Sequence, residues 1–296
     1  MKDEEIEVLG QSPRFSGNKR KILYLALGVL AIIILTVLLL LVLKNNKDTE
    51  ELKDKVEAEE EISTVTGVSD GKSAFVDTLA SGIVIDTVTV DSAILRVFRP
   101  YNVRFRLTLD EPDTADTQIL FVVQAANVRE DNHKIIGDFI VDGEEKANRL
   151  SSHITTQGFC AIIGDKITIG RSKQTDLYEE MKNQKGCFFR QLPLVVGDDV
   201  VDYPIEGKSI RRALCLRNDT VIIVESISRL SVVDFAKALN NYEVSHAISL
   251  LGGKNLVEWY RGEGGSENVS VLFVNKSENS EGRNYLVVRA SKSTGE

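Results

Sequence analysis

The stretch Ile22-Leu-Tyr-Leu-Ala-Leu-Gly-Val-Leu-Ala-Ile-Ile-Ile-Leu-Thr-Val-Leu-Leu-Leu-Leu-Val-Leu43 contains no charged residue. As a helix rising ~1.5 Å per residue it reaches ~33 Å, matching a bilayer hydrocarbon core of ~30 Å. It ends at Lys44 without a small-residue cleavage pattern, so the sequence predicts one retained membrane-spanning helix and not a signal peptide. Lys19, Arg20 and Lys21, supported by Arg14, precede the run, and Lys44 and Lys47 follow it. The tighter basic cluster keeps residues 1–21 in the cytoplasm and exports the C-terminal part. A bacterial inner membrane, with the large domain on its periplasmic side, is the expected location.

Charge narrows the partners. The formal net charge is -8, yet residues 48–61 alone carry eight acids and two lysines. Most of the excess therefore lies in one short stretch, and the nearly balanced remainder offers no basic face to a nucleic acid. Within residues 44–73 the acidic run reads as a solvated helical stalk, with Glu51 placed to pair with Lys55. Ser63 to Lys72 reads as a flexible linker. Cys160, Cys187 and Cys215 form no CxxC pair and no zinc spacing, so small buried hydrophobes are expected, with one disulfide as the alternative. No metal and no cofactor is expected.

From about residue 74 onward, short alternating apolar runs suit strands. They occur at 82–90, 93–98, 103–109, 118–123, 159–163, 166–169, 192–196, 213–216, 221–224, 269–274 and 285–288. Val232, Phe235, Ala236, Leu239 and Tyr242 instead fall at helical spacing behind Ser231, a plausible N-cap with Asp234 three residues on. A shorter helix is expected around Tyr178. The reading is one α+β domain, residues 74–296, with a strand-rich mixed sheet and few helices, preceded by the transmembrane helix and the charged stalk.

Common catalytic signatures fail. Gly207-Lys208-Ser209 and Gly71-Lys72-Ser73 resemble phosphate-loop ends, but Asp202 and Thr66 stand where the earlier glycine is required. His133, His153 and His246 are far apart with no HExxH pair, and no GxSxG elbow occurs. What remains is an ordered series: Ala125-Ala126-Asn127, Gly137 to Gly143, Leu192-Pro193-Leu194-Val195, Ser209 to Leu214, a hairpin, the Ser231 helix, and Ala247-Ile248-Ser249-Leu250-Leu251-Gly252-Gly253.

This order resembles the phosphodiester glycosidase family, which includes the mannose 6-phosphate uncovering enzyme, over roughly residues 82–290. The family pairs a strand of the type Arg-Thr-Ala-Ile-Gly with a loop of the type Asn-Leu-Asp-Gly-Gly-Gly-Ser. Here Arg211 opens the strand, Ser249 replaces the asparagine, Leu251 replaces the aspartate, and Lys254-Asn255 follow Gly252-Gly253. A second family motif, Asn-Gly-Gly-Phe-Phe, is reduced to Asn127-Val128-Arg129-Glu130-Asp131.

Cleaving a glycosidic or phosphodiester bond needs an acid for the leaving oxygen and a carboxylate, or a substitute, for the developing positive charge. Leu251 supplies neither. The resemblance therefore implies a membrane-anchored, exported domain with impaired catalysis that binds or supports a glycan, phospho-sugar or envelope component. An active hydrolase would need rearranged acids, for which Asp131, Glu130 and Glu225 are the candidates. A structural or interaction protein sharing only the fold is the third reading. Candidate ligand-binding residues are Asn127, Arg211, Ser249, Gly252, Gly253 and Lys254. Each has a plainer role beside it: Gly252-Gly253 as a positive-φ turn, Arg211 as a partner for a nearby acid, and Asn127 as a local backbone cap.

Overall fold

The computed structural model describes residues 62–66, 81–147, 156–203, 205–251, 258–262, 269–273 and 282–291. Strands are numbered along the chain. One six-stranded sheet runs in the order β1 (Ile62–Thr66), β9 (Lys166–Arg171), β8 (Gly158–Ile163), β10 (Cys187–Gln191), β6 (Phe139–Val141) and β7 (Glu144–Ala147). A seven-stranded sheet runs β12 (Asp199–Val200), β11 (Pro193–Val196), β15 (His246–Leu250), β13 (Arg212–Arg217), β14 (Thr220–Ser226), β3 (Ala93–Tyr101) and β2 (Gly82–Val90). A five-stranded sheet runs β17 (Val269–Phe273), β16 (Glu258–Arg261), β5 (Ile119–Gln124), β18 (Tyr285–Ala290) and β4 (Val103–Thr108).

The expectation of a mixed sheet is corrected: within each of the three sheets the paired strands are antiparallel. The cause is local. Asp142-Gly143 and Asn218-Asp219 each place two successive residues at positive φ, the geometry of tight hairpin turns. Parallel neighbours would need crossovers of a dozen or more residues, usually helical. The described residues hold only α1 (Leu177–Asn183) and α2 (Val232–Asn241).

The expected membrane-spanning helix, residues 22–43, and the acidic stalk lie outside the described residues. Among the described residues no helix is long and apolar enough to cross a membrane. The fold class is therefore three antiparallel sheets with two short helices, and the spanning helix is no part of the observed architecture. Residues 62–66, read above as the end of the stalk and the start of the linker, form β1, and they belong to a compact unit that begins at Glu59.

Strand parity sorts the side chains into layers. Leu214, Leu216, Ile223, Ile248 and Leu250 face a central core shared with Phe105, Phe121, Phe139, Phe189 and Val288 from the other sheets. Their neighbours Ala213, Cys215, Ile222, Val224 and Ala247 face the opposite way, onto Phe235, Ala236 and Leu239 of α2. Helix α2 starts where the sequence places it: the Ser231 hydroxyl accepts from the Asp234 amide at 3.0 Å. Removing that acceptor by Ser231→Ala is expected to cost about 1 kcal/mol, read as a lower urea midpoint with an unchanged m-value.

Candidate functional site

At one end of β13 the side chain of Arg212 is buried, with 3% exposure. Its Nε donates to Glu225 Oε2 at 3.1 Å, its Nη2 bonds the same oxygen, and its Nη1 donates to Glu258 Oε2 at 2.6 Å. Nη1 also reaches the Leu251 carbonyl at 3.3 Å. Glu225 Oε1 takes a further bond from Arg96 Nη1 at 3.0 Å, and Glu258 Oε1 accepts the Gln124 amide at 3.1 Å. Two arginines and two glutamates thus close a neutral cluster. It ties β3, β13 and β14 of one sheet to β5 and β16 of another, beside Leu251 at the exit of β15. Burial pulls the Arg212 pKa down, but the carboxylates, Glu258 foremost, more than offset this and the net shift is upward.

Next to this hub lies a row of neutral polar groups. The Leu251 amide donates to the Gln124 carbonyl at 3.3 Å. The Ser249 amide donates to the Leu192 carbonyl at 2.8 Å. The Leu192 amide in turn donates to Gln191 Oε1 at 3.0 Å, and Asn127 Nδ2 reaches that same oxygen at 3.4 Å. Asn284 fixes the adjoining backbone: its Oδ1 accepts from the Ala126 amide at 2.6 Å, and its Nδ2 donates to the Ala126 carbonyl at 3.1 Å. Asn127, Ser249 and Leu251 are half-buried and line the rim, while Gln191 is buried beneath them.

Of the residues singled out in the sequence, Asn127 and Ser249 meet in this row through Gln191 and Leu192. Gly252, Gly253 and Lys254 lie outside the described residues. Glu225 sits in the hub, with both oxygens engaged by arginines. Asp131 is exposed and remote in role: both its oxygens pair with Arg129 at 2.8 Å, and that bond holds its carboxyl below the usual carboxylate range. Arg211 immediately precedes β13 and its side chain leaves on the other side from Arg212. Its Nε donates to the Leu230 carbonyl at 3.2 Å and its Nη2 to the Gly207 carbonyl at 3.1 Å, which staples two loops beside α2. Burial without a compensating carboxylate lowers its pKa.

Sequence reasoning missed Arg212, Glu258, Gln191 and Asn284. One of them had a signal. The two-residue turn at Asn218-Asp219 sets the hairpin register so that Arg212 lies directly opposite Glu225, an opposite-charge cross-strand pair in phase with Leu214 and Leu216. Glu258 and Asn284 come from distant segments and carry no comparable local pattern. A cavity of about 660 Å³ lies elsewhere, between Arg106, Asp142, Asp116 and Arg289. Its arginines are committed to ion pairs, Arg106 with Asp142 at 2.5 Å and Arg289 with Asp116 at 2.9 Å.

The three cysteines are free and buried, and burial raises each thiol above its ordinary pKa. They are expected to ignore a thiol reagent at pH 8 in the native state and to react only on unfolding. The hub gives a second expectation. Arg212→Ala leaves two buried carboxylates without their shared partner and should destabilise by about 3–5 kcal/mol. Arg211→Ala, losing bonds to two carbonyls, should cost about 1 kcal/mol. Chemical denaturation of both variants checks the contrast. Because the folded pKa of Arg212 is raised, its contribution is fully present below the ordinary guanidinium range. The loss on Arg212→Ala should therefore be no smaller at pH 9 than at pH 7, since the two carboxylates left behind relieve their burial by taking up protons more readily at the lower pH.

No family model matches the chain, and no curated protein matches it in sequence. Among solved structures, the zebrafish N-acetylglucosamine-1-phosphodiester alpha-N-acetylglucosaminidase catalytic domain, in a form auto-inhibited by its pro-peptide, is similar with a TM-score of 0.51 and 16% identity. That similarity covers 77% of this chain and 88% of the zebrafish one. A hypothetical protein from Synechocystis follows with a TM-score of 0.42 and 11% identity, over 71% of this chain and 62% of its own. The fold is thus phosphodiester glycosidase-like, at low sequence identity.

Proposed function

We propose that this chain is a catalytically impaired phosphodiester glycosidase-like domain that binds a glycan or phospho-sugar at the rim formed by Asn127, Ser249 and Leu251. The observation that carries the reading is the commitment of the carboxylates beside that rim. Glu225 and Glu258 both bond Arg212, and each has its second oxygen occupied by Arg96 or by the Gln124 amide. A glycosidase mechanism needs two carboxyl groups facing the scissile bond, ~5 to 10 Å apart. In the hub they face an arginine instead. Among the described residues the groups left at the rim are amides, a hydroxyl and backbone polar atoms, which suit hydrogen bonding to sugar hydroxyls and include no acid for a leaving oxygen.

The test is a purified chain incubated with a chromogenic N-acetylglucosamine phosphodiester, with binding and turnover measured separately. Saturable binding with a hydrolysis rate equal to buffer is expected. Asn127→Ala should weaken binding by about fivefold, the equivalent of one hydrogen bond of about 1 kcal/mol. Leu251→Asp should remain as slow as the wild type, because the neighbouring carboxylates stay locked on Arg212. Turnover by the unmodified chain would overturn the reading.

A further inference from the structure

The chain enters its described body through β1, which pairs with β9 and forms the edge of the six-stranded sheet. The ladder is five residues long, from Ile62 opposite Gly170 to Thr66 opposite Lys166. The next strand, β2, belongs to a different sheet. A single ladder this short, at an edge, belongs to the least stable part of a fold.

Beyond β9 the same end of the sheet leads to the rim. Arg171, one residue past the Ile62 row, lies opposite Gly158, and Gly158 lies opposite Gln191. Arg171 grips the buried Gln157 through two bonds of 3.2 Å to its Oε1, and the Ser172 amide donates to the Gln157 carbonyl at 2.9 Å. Gly158 sits so tightly that a methyl group there would lie 2.6 Å from the Gln191 carbonyl. Gln191 then holds Asn127 from one side and donates to the Ala125 carbonyl at 3.5 Å from the other. One continuous path of backbone pairing and side-chain bonds runs from the edge strand to a rim residue, the kind of contiguous network that can carry coupling.

We infer that β1 is a strap on the candidate site: docked on β9 it holds the Arg171, Gly158 and Gln191 row in place, and released it lets that row loosen and Asn127 lose its position. The binding consequence rests on the proposed function. The mechanical one does not.

The test uses the full chain in three forms. Thr64→Pro removes a backbone donor and the extended pairing in the middle of β1. Thr64→Cys combined with Thr168→Cys places two thiols on directly opposite residues, close enough for a disulfide that locks the ladder. Hydrogen exchange is followed at 158–163 and 187–191, with 213–216 as the internal control. Thr64→Pro is expected to speed exchange in the first two segments by about tenfold and leave the control unchanged. The oxidised double variant should exchange more slowly than wild type in those two segments and return to the wild-type rate on reduction; exchange unchanged by oxidation would overturn the strap. Affinity for the N-acetylglucosamine phosphodiester should fall by about tenfold in Thr64→Pro, equivalent to about 1.4 kcal/mol.

Free exchange at 62–66 with 187–191 unchanged would overturn the strap and leave β1 as a plain edge strand. A rise in the control would mean that Thr64→Pro unfolds the body, and the oxidised and reduced double variant then decides the question. Failure of every form to bind the phosphodiester would sink the proposed function, while the exchange result would still decide the strap.

Discussion

The architecture turns on one buried guanidinium. Arg212 is almost without solvent, and an isolated charge there would cost several kcal/mol even after relaxation. It is tolerated because Glu225, the residue its hairpin register places opposite, and Glu258, the first residue of a strand in another sheet, both reach it. Antiparallel sheets stacked through apolar layers can slide relative to one another. A directional, charge-assisted cross-tie at the layer boundary resists that sliding where apolar contact alone does not. The Leu251 carbonyl joins the same tie, so the exit of β15 is fixed by the element that holds the sheets together.

The same tie shows what the acids at this strand end are used for: Glu225 and Glu258 both bond Arg212. Carboxylates that are worth keeping for stability need not be free for chemistry. At this strand end the glutamates serve Arg212, and the remaining polar groups serve the backbone of the Ala125 and Leu192 loops. Asn127, Ser249 and Leu251 are left half-buried beside the buried Gln191.

Much of the fold was legible in the sequence because strand alternation and helical spacing are local patterns. The boundaries of β2, the N-cap at Ser231 and the helix around Tyr178 follow from residues within one or two turns of each other. Sheet direction was less legible, since alternation identifies a strand without naming its neighbour, and the hairpin turns that force antiparallel pairing depend on φ values at residues such as Asp142 and Asn218. The strands β7 and β1 were missed for different reasons: Glu144 to Ala147 is a strand because a partner accepts it although its acidic composition argues for loop, whereas Ile62 to Thr66 is β-branched enough for a strand but sits between an acidic run and a Gly/Ser-containing stretch that read as stalk and linker. The apolar run at residues 22–43 is the reverse case, plain in sequence and outside the described residues.

The arginine that the motif order selects and the arginine that carries the buried charge are neighbours, and the period of extended chain sends them to opposite sides. Motif alignment selects Arg211, the first arginine of the pair. In extended chain, consecutive side chains leave on opposite faces, so one position separates a cation at the central interface from one on the α2 side. Arg211 then meets carbonyls, and Arg212 meets carboxylates. A family motif transfers a residue type and a strand, but the face is set by the apolar residues in phase with it. Here Leu214 and Leu216 fix the central face, and they share parity with Arg212. Reading the phase of the strand before assigning the motif would have placed the buried charge correctly from the sequence alone. It would also have shown that its first partner, Glu225, was already committed.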